Sequence, residues 1–134
     1  MNDSVPNASA ESCARFSAEV AQLEKAEDVV VLDLRGLAGF TDFFVIATAS
    51  SERRRTTIVD AVERRVRERV GRKPIHLEGY PAAGWLLADY VDFVVHVFSP
   101  ESRELYQLEK LWGDAARWHP DPPGASPAAG SGTP

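Results

Sequence analysis

Few residues in this chain of 134 are of a type that could do chemistry, and their spacing argues against most of it. Asp89 and Asp92 are the candidate metal carboxylates of a nucleotidyl or phosphoryl transferase. Two residues separate them, so on a strand they point to opposite sides; ligands sharing a metal from one strand need a single intervening residue. Thr48-Ala49-Ser50-Ser51 lies between an apolar run and a basic helix, where a helix N-terminus can hold phosphate. His76, His96 and His119 are scattered and lack His-Glu-x-x-His or Cys-x-x-Cys spacing. No Gly-x-Gly-x-x-Gly, phosphate loop or Gly-x-Ser-x-Gly elbow is present. Asp33 and Asp42 have no third ligand near them and read as turn and strand-edge carboxylates. Cys13 is the lone cysteine; it belongs to an apolar stripe and forms neither a disulfide nor a metal cluster. No catalytic residue, metal or cofactor is expected.

The elements that would position these groups follow from periodicity. Ala10, Cys13, Phe16, Val20 and Leu23 recur at helical steps, predicting a helix from Ser9 to about Lys25. DVVVLDL (28–34) and FFVIAT (43–48) are dense in β-branched and aromatic residues and too short for buried helices, so they read as strands. Ser50 or Ser51 caps a second helix that Gly71 ends, with Ile58, Ala61, Val62, Val66 and Val70 on its buried side. PIHLEGY (74–80) is a third strand. Strand, helix, strand in succession implies a crossover between parallel neighbours.

GWLLADYVDFVVHVF (84–98) reads as two strands joined tightly near Tyr90-Val91-Asp92. Trp85, Leu87 and Asp89 share one side and Leu86, Ala88 and Tyr90 the other. Neither side is consistently polar, so each needs a cover of protein, from this chain or another. Ser99-Pro100-Glu101 starts a last helix, with Leu105, Leu108, Leu111 or Trp112, and Ala115 as its core stripe through about Arg117. The expected architecture is an α/β domain over residues 9–118, with a mixed five-stranded sheet flanked by helices. Residues 1–8 are expected to be loose, and the Pro/Gly/Ser/Ala-rich tail over 119–134 disordered.

Charge adds a second theme. The net charge is −5, yet nine Lys or Arg fall between Arg53 and Lys73 against three acids. Such a stripe, with Arg53, Arg54 and Arg55 at its head, suits phosphate and suits a solvated helix face almost as well. No apolar run is long enough for a membrane span. The first residues, MNDSVPNASAES, lack the regions of a signal peptide, so a cytoplasmic protein is expected. Trp85, Tyr90, Tyr106 and Trp112 are of the type that anchors interfaces and equally of the type that fills cores. Binding is the better account, with a residual nucleotidyltransferase or an RNA-binding domain using the basic helix as alternatives.

Four segments carry a resemblance: KAEDVVVLDLR (25–35), FTDFFVIATASS (40–51), HLEGYPAAGWLLADYVDFVVHVF (76–98) and SRELYQLEKLWGDA (102–115). In order and spacing, residues 9–117 resemble the Iojap family of ribosomal silencing factors. Ala49 stands where that family usually has Gly. The resemblance implies a nucleotidyltransferase-like fold without the catalytic carboxylates. It also implies binding to the large ribosomal subunit through its fourteenth protein, on the surface that meets the small subunit. Subunit joining is then blocked and translation lowered when nutrients are short. Self-association as dimers occurs in the family. On that basis Glu78, Trp85, Leu86, Leu87, Asp89, Tyr90 and His96 are the expected contact with the ribosomal protein. Arg53, Arg54 and Arg55 are the expected contact with ribosomal RNA phosphate.

Overall fold

The computed structural model describes residues 9–122. Ser9 caps α1 (Ala10–Leu23), its side chain accepting from the Ser12 N–H, and Cys13, Ala14, Ser17, Ala18, Val20 and Ala21 are buried. β1 (Glu27–Asp33) and β2 (Phe43–Thr48) form an antiparallel pair. α2 (Glu52–Val70) starts at Ser51, whose hydroxyl accepts the Arg54 N–H, and ends at Gly71 in the left-handed region. All five residues of the expected stripe are buried, each contributing about 1–3 kcal/mol of transfer free energy. β3 (His76–Tyr80), a short 3₁₀ turn (Pro81–Ala83), β4 (Trp85–Asp89) and β5 (Phe93–Phe98) follow.

The strands make one sheet in the order β3-β4-β5-β2-β1-β6. Two expectations are corrected here. The sheet has six strands rather than five, because Ala116–Trp118 leaves the helical path and pairs antiparallel with β1 as β6. The strand reached through α2 is also not the neighbour of β2. β3 lies at the far edge, and the meander β3-β4-β5 brings β5 back to pair in parallel with β2. Local patterning carries the direction of a strand but not its place in the sheet, which here follows from two successive antiparallel turns.

The sheet has two apolar sides. α1 and α2 pack on one, over Val31, Val45, Val95, Val97 and Phe93. The other is built from Val30, Leu32, Phe44, Ile46, Val94 and Phe98 and is covered only in part. Its cover is the segment after β5, which forms two short helices, α3 (Pro100–Tyr106) and α4 (Leu108–Leu111), instead of one. Gln107 between them is left-handed, with φ 48°. That break shifts the helical phase: Leu108 and Trp112 pack against the sheet and Ala115 is buried, whereas Leu105 and Leu111 turn out to solvent. Leu105 was expected in the core and is corrected to a surface position; of the alternatives Leu111 and Trp112, Trp112 is the one that packs.

Arg103 fastens this cover. Its guanidinium donates twice to Glu109, at 3.0 and 2.9 Å, and once to the Thr48 hydroxyl, at 2.8 Å. It also donates to the carbonyl of Asp28, where β1 shifts register. One side chain thus joins α3, α4, β1 and β2. At the other end Gly84 has φ 61°, and a Cβ there would meet the Ser99 hydroxyl at 2.5 Å. Only glycine lets the backbone ahead of Trp85 lie so close to the start of α3. Past Trp118 the chain stays on the body: His119 lies 3.3 Å from the Val29 carbonyl, Pro120 is buried and Gln22 donates to the Asp121 carbonyl. The expected loose N-terminus and residues 123–134 of the expected disordered tail lie outside the described residues.

Replacing Arg103 with Met should cost about 2–4 kcal/mol in urea unfolding, since Glu109 is left half-buried without its partner. Arg103 also holds the Glu109 carboxyl below the usual carboxylate range. The pair's contribution is therefore complete above that range and lost as pH falls through the lowered value. Glu109→Gln should remove this part of the acid sensitivity. An Arg103→Met protein with an unchanged urea midpoint would contradict the clamp.

Candidate functional site

β4 lies between β3 and β5 in a register that pairs Trp85 with Tyr80 and Phe98, Leu87 with Glu78 and His96, and Asp89 with His76 and Val94. Directly paired residues share a side of a sheet. Glu78, Tyr80, Trp85, Leu87, Asp89 and His96 therefore all face the side opposite α1 and α2. α3 and α4 cover the β1-β2-β5 part of that side, reach β4 at Trp85 through Tyr106, and leave the rest of β3 and β4 open. What stays open is an aromatic row. Trp85 has Tyr80 at 5.9 Å, Tyr106 of α3 at 4.8 Å and Phe98 at 5.2 Å between ring centroids. Phe98 is buried beneath, while Tyr80 is 46% and Tyr106 39% exposed. Trp85, Leu87 and Asp89 are half-buried and Glu78 is exposed. The Tyr80 hydroxyl donates to Glu78, keeping that carboxylate at the edge of the rings. The arrangement is a shallow apolar platform with an acidic rim, suited to non-covalent docking.

The expected contact residues are divided by this geometry. Glu78, Trp85, Leu87 and Asp89 come together on the open side. Leu86 points the other way and, with Val59 and Leu77, lines a small groove beside α2. Tyr90 is 1% exposed and stacked on Phe93 at 4.5 Å, beneath α1 and α2; it is corrected from an anchor to a core residue, because its parity on the strand is opposite to that of Trp85. His96 is on the open side but 5% exposed, so it is corrected to a residue beneath the surface. Among the arginines, Arg53 is exposed and Arg54 half-buried. Arg55 is 7% exposed and donates to the Ala49 carbonyl at 2.8 Å; it is corrected from a phosphate contact to a brace of the strand-to-helix turn. Tyr80 and Tyr106 were missed as members. The alternation that places Trp85 outward also reaches Tyr80 through the pairing of β3, a signal that needs the register; Tyr106 depends on the break at Gln107.

Groups that could do transfer chemistry are engaged elsewhere. Asp92 pairs with Arg72 at 2.8 Å, and Asp89 accepts the Val91 N–H at 2.8 Å. Asp33 is bound by Arg35, which holds its carboxyl below the usual range. A polar cleft of about 670 Å³ opens between α3, α4 and the β1-β2 end, and the Arg103 guanidinium in it is taken up by Glu109 and the strand ends. Among the described residues no group of three or more His, Cys, Asp or Glu is placed to hold a metal ion. Nor is any helix there long and apolar enough to cross a membrane.

Comparison with known proteins gives the family of the chain. A family model described as "Ribosomal silencing factor during starvation" matches residues 7–132, further at both ends than the 9–117 over which the motifs were recognised. Ribosomal silencing factor RsfS of Halalkalibacterium halodurans is 44% identical over 92 residues, 69% of this chain and 78% of that protein. RsfS of Bacillus subtilis is 36% identical over 107 residues, 78% of this chain and 87% of that protein. A crystal structure of a Chromobacterium violaceum protein superposes with a TM-score of 0.74 at 26% identity, covering 92% of this chain and all of that one. The chain belongs to the ribosomal silencing factor family.

Proposed function

We propose that this protein docks on the large ribosomal subunit through that subunit's fourteenth protein, using the open side of β3 and β4, and that its bulk then excludes the small subunit. The observation that carries this reading is the row Tyr80-Trp85-Tyr106, whose two tyrosines are exposed, on the side of the sheet that α1 and α2 do not cover. Large aromatics held rigidly on a sheet present much contact area at little entropic cost, the character of interface hot spots. Glu78 and Asp89 on the rim would meet basic groups of the ribosomal protein and favour the correct orientation. An interface of about 800 Å² per partner is enough for a specific complex. No bond need be made or broken, since the volume of a rigid domain suffices to obstruct the joining surface. Repression of translation under nutrient limitation and residence in the cytoplasm follow from that partner. The fold reads as a relative of nucleotidyltransferases without the catalytic carboxylates, Asp89 and Asp92 being engaged by the Val91 N–H and by Arg72. Binding of nucleotide with a divalent metal in a calorimeter would instead revive a transferase.

A second contact is favoured by the arginines of α2. Arg53 and the exposed Arg64 and Arg67 have no ion-pair partner among the described residues. Ribosomal RNA phosphate is their natural complement. They lie on the side of the sheet away from the docking row, so such RNA would have to reach around the domain rather than continue the same flat surface.

Trp85→Ala should weaken co-sedimentation with large subunits by about 2 kcal/mol or more, roughly thirtyfold. Unchanged sedimentation of the folded variant would remove Trp85 from the interface. Charge reversal at Arg53 and Arg54 should reduce binding mainly at low salt. An equal loss at high and low salt would indicate a contact of shape rather than charge.

A further inference from the structure

His96 sits directly under the docking row and its ring makes one polar contact. The Trp85 indole nitrogen lies 3.1 Å from His96 Nδ1. Indole N–H can only donate, so Nδ1 must be the bare, accepting nitrogen, and the neutral ring carries its proton on Nε2. Nε2 is buried with no nitrogen or oxygen partner. A buried N–H without an acceptor costs free energy, and a core position that tolerates this cost is being used for the ring's other nitrogen. The surroundings fix the imidazole: Phe44 meets it edge-on at 4.4 Å, Phe98 stacks parallel to it at 5.9 Å, and Leu87 and Ile46 flank it across the strands.

We infer that His96 is a positioning residue for the docking row: it accepts the Trp85 indole N–H and thereby fixes the angle at which that ring is presented to the ribosomal protein. This rests on the docking reading above and assigns His96 a role through Trp85 rather than by contact. The indole's other neighbours here are the rings of Tyr80, Tyr106 and Phe98, which restrain its position, and neither tyrosine hydroxyl accepts its N–H. A Trp85 free to turn would still bury area but would have to be ordered on binding, at a cost in affinity. Burial also keeps the imidazole neutral, pulling its pKa down to about 3, so the accepting nitrogen stays available near neutral pH.

Two measurements on the full chain test this. In nitrogen-15 spectra of the free protein, His96, assigned by the loss of its signals in His96→Asn, should show a bare Nδ1 and a protonated Nε2. The opposite tautomer or a charged ring would overturn the inference. Binding to large subunits should fall about tenfold in His96→Leu, the effect of one lost hydrogen bond, with the Trp85 indole N–H resonance shifted upfield. His96→Asn, whose amide oxygen can lie near the place of Nδ1, should recover most of both. Should His96→Leu fail to fold, the tautomer and the asparagine variant decide alone. Trp85→Ala weakening binding while His96→Leu leaves it unchanged would remove the positioning role and spare the docking face. Wild-type binding by Trp85→Ala would remove Trp85 from the interface and the positioning role with it.

Discussion

The guanidinium of Arg103 ties α3 and α4 to each other and to the ends of β1 and β2. Two of its nitrogens are spent on Glu109 and a third reaches Thr48 and the backbone of Asp28. The sheet has an apolar second side that α1 and α2 cannot reach, and α3 and α4 are too short to remain there through helical propensity. Anchoring them at one point lets Leu108, Trp112 and Ala115 bury their area against Val30, Leu32 and Phe44. It also ends the cover where it does. With a longer or better-anchored helix over β4, no aromatic row would remain open.

That incomplete cover links folding to function. Tyr106 is delivered by the same short helix that Arg103 secures, and Trp85 is placed by Gly84 at the close approach to Ser99. The proposed docking row is therefore assembled from two ends of one polar frame, with His96 beneath it. On the proposed function, a protein that blocks by volume needs a rigid attachment more than a reactive group. The spending of Asp89, Asp92 and Asp33 on turns and ion pairs is consistent with that demand.

Much of this was legible in the sequence, for identifiable reasons. Ser51, Gly71 and the valine stripe mark α2 because caps and a 3.6-residue period are local signals. The alternation from Trp85 to Asp89 correctly separates Trp85 and Leu87 from Leu86 and Tyr90, since side-chain parity on a strand is also local. What escaped depends on contacts distant in the chain. β6 is a strand only because β1 offers an unpaired edge to Arg117 and its neighbours. Gln107 is an ordinary helix former whose left-handed turn is imposed by the packing of Leu108 and Trp112. The burial of His96 and Arg55 could not be read from residue type, as the partners they engage, the Trp85 indole N–H for His96 Nδ1 and the Ala49 carbonyl for Arg55, are brought near only by the fold.

The claim that matters most is that docking alone is enough to keep the two subunits apart. Light scattering of purified subunits mixed after the large one has been incubated with this protein measures it directly. The account predicts that joining falls in proportion to the fraction of large subunits carrying the protein, and reaches near zero when all are occupied. Full occupancy with joining at its normal rate and extent would contradict it.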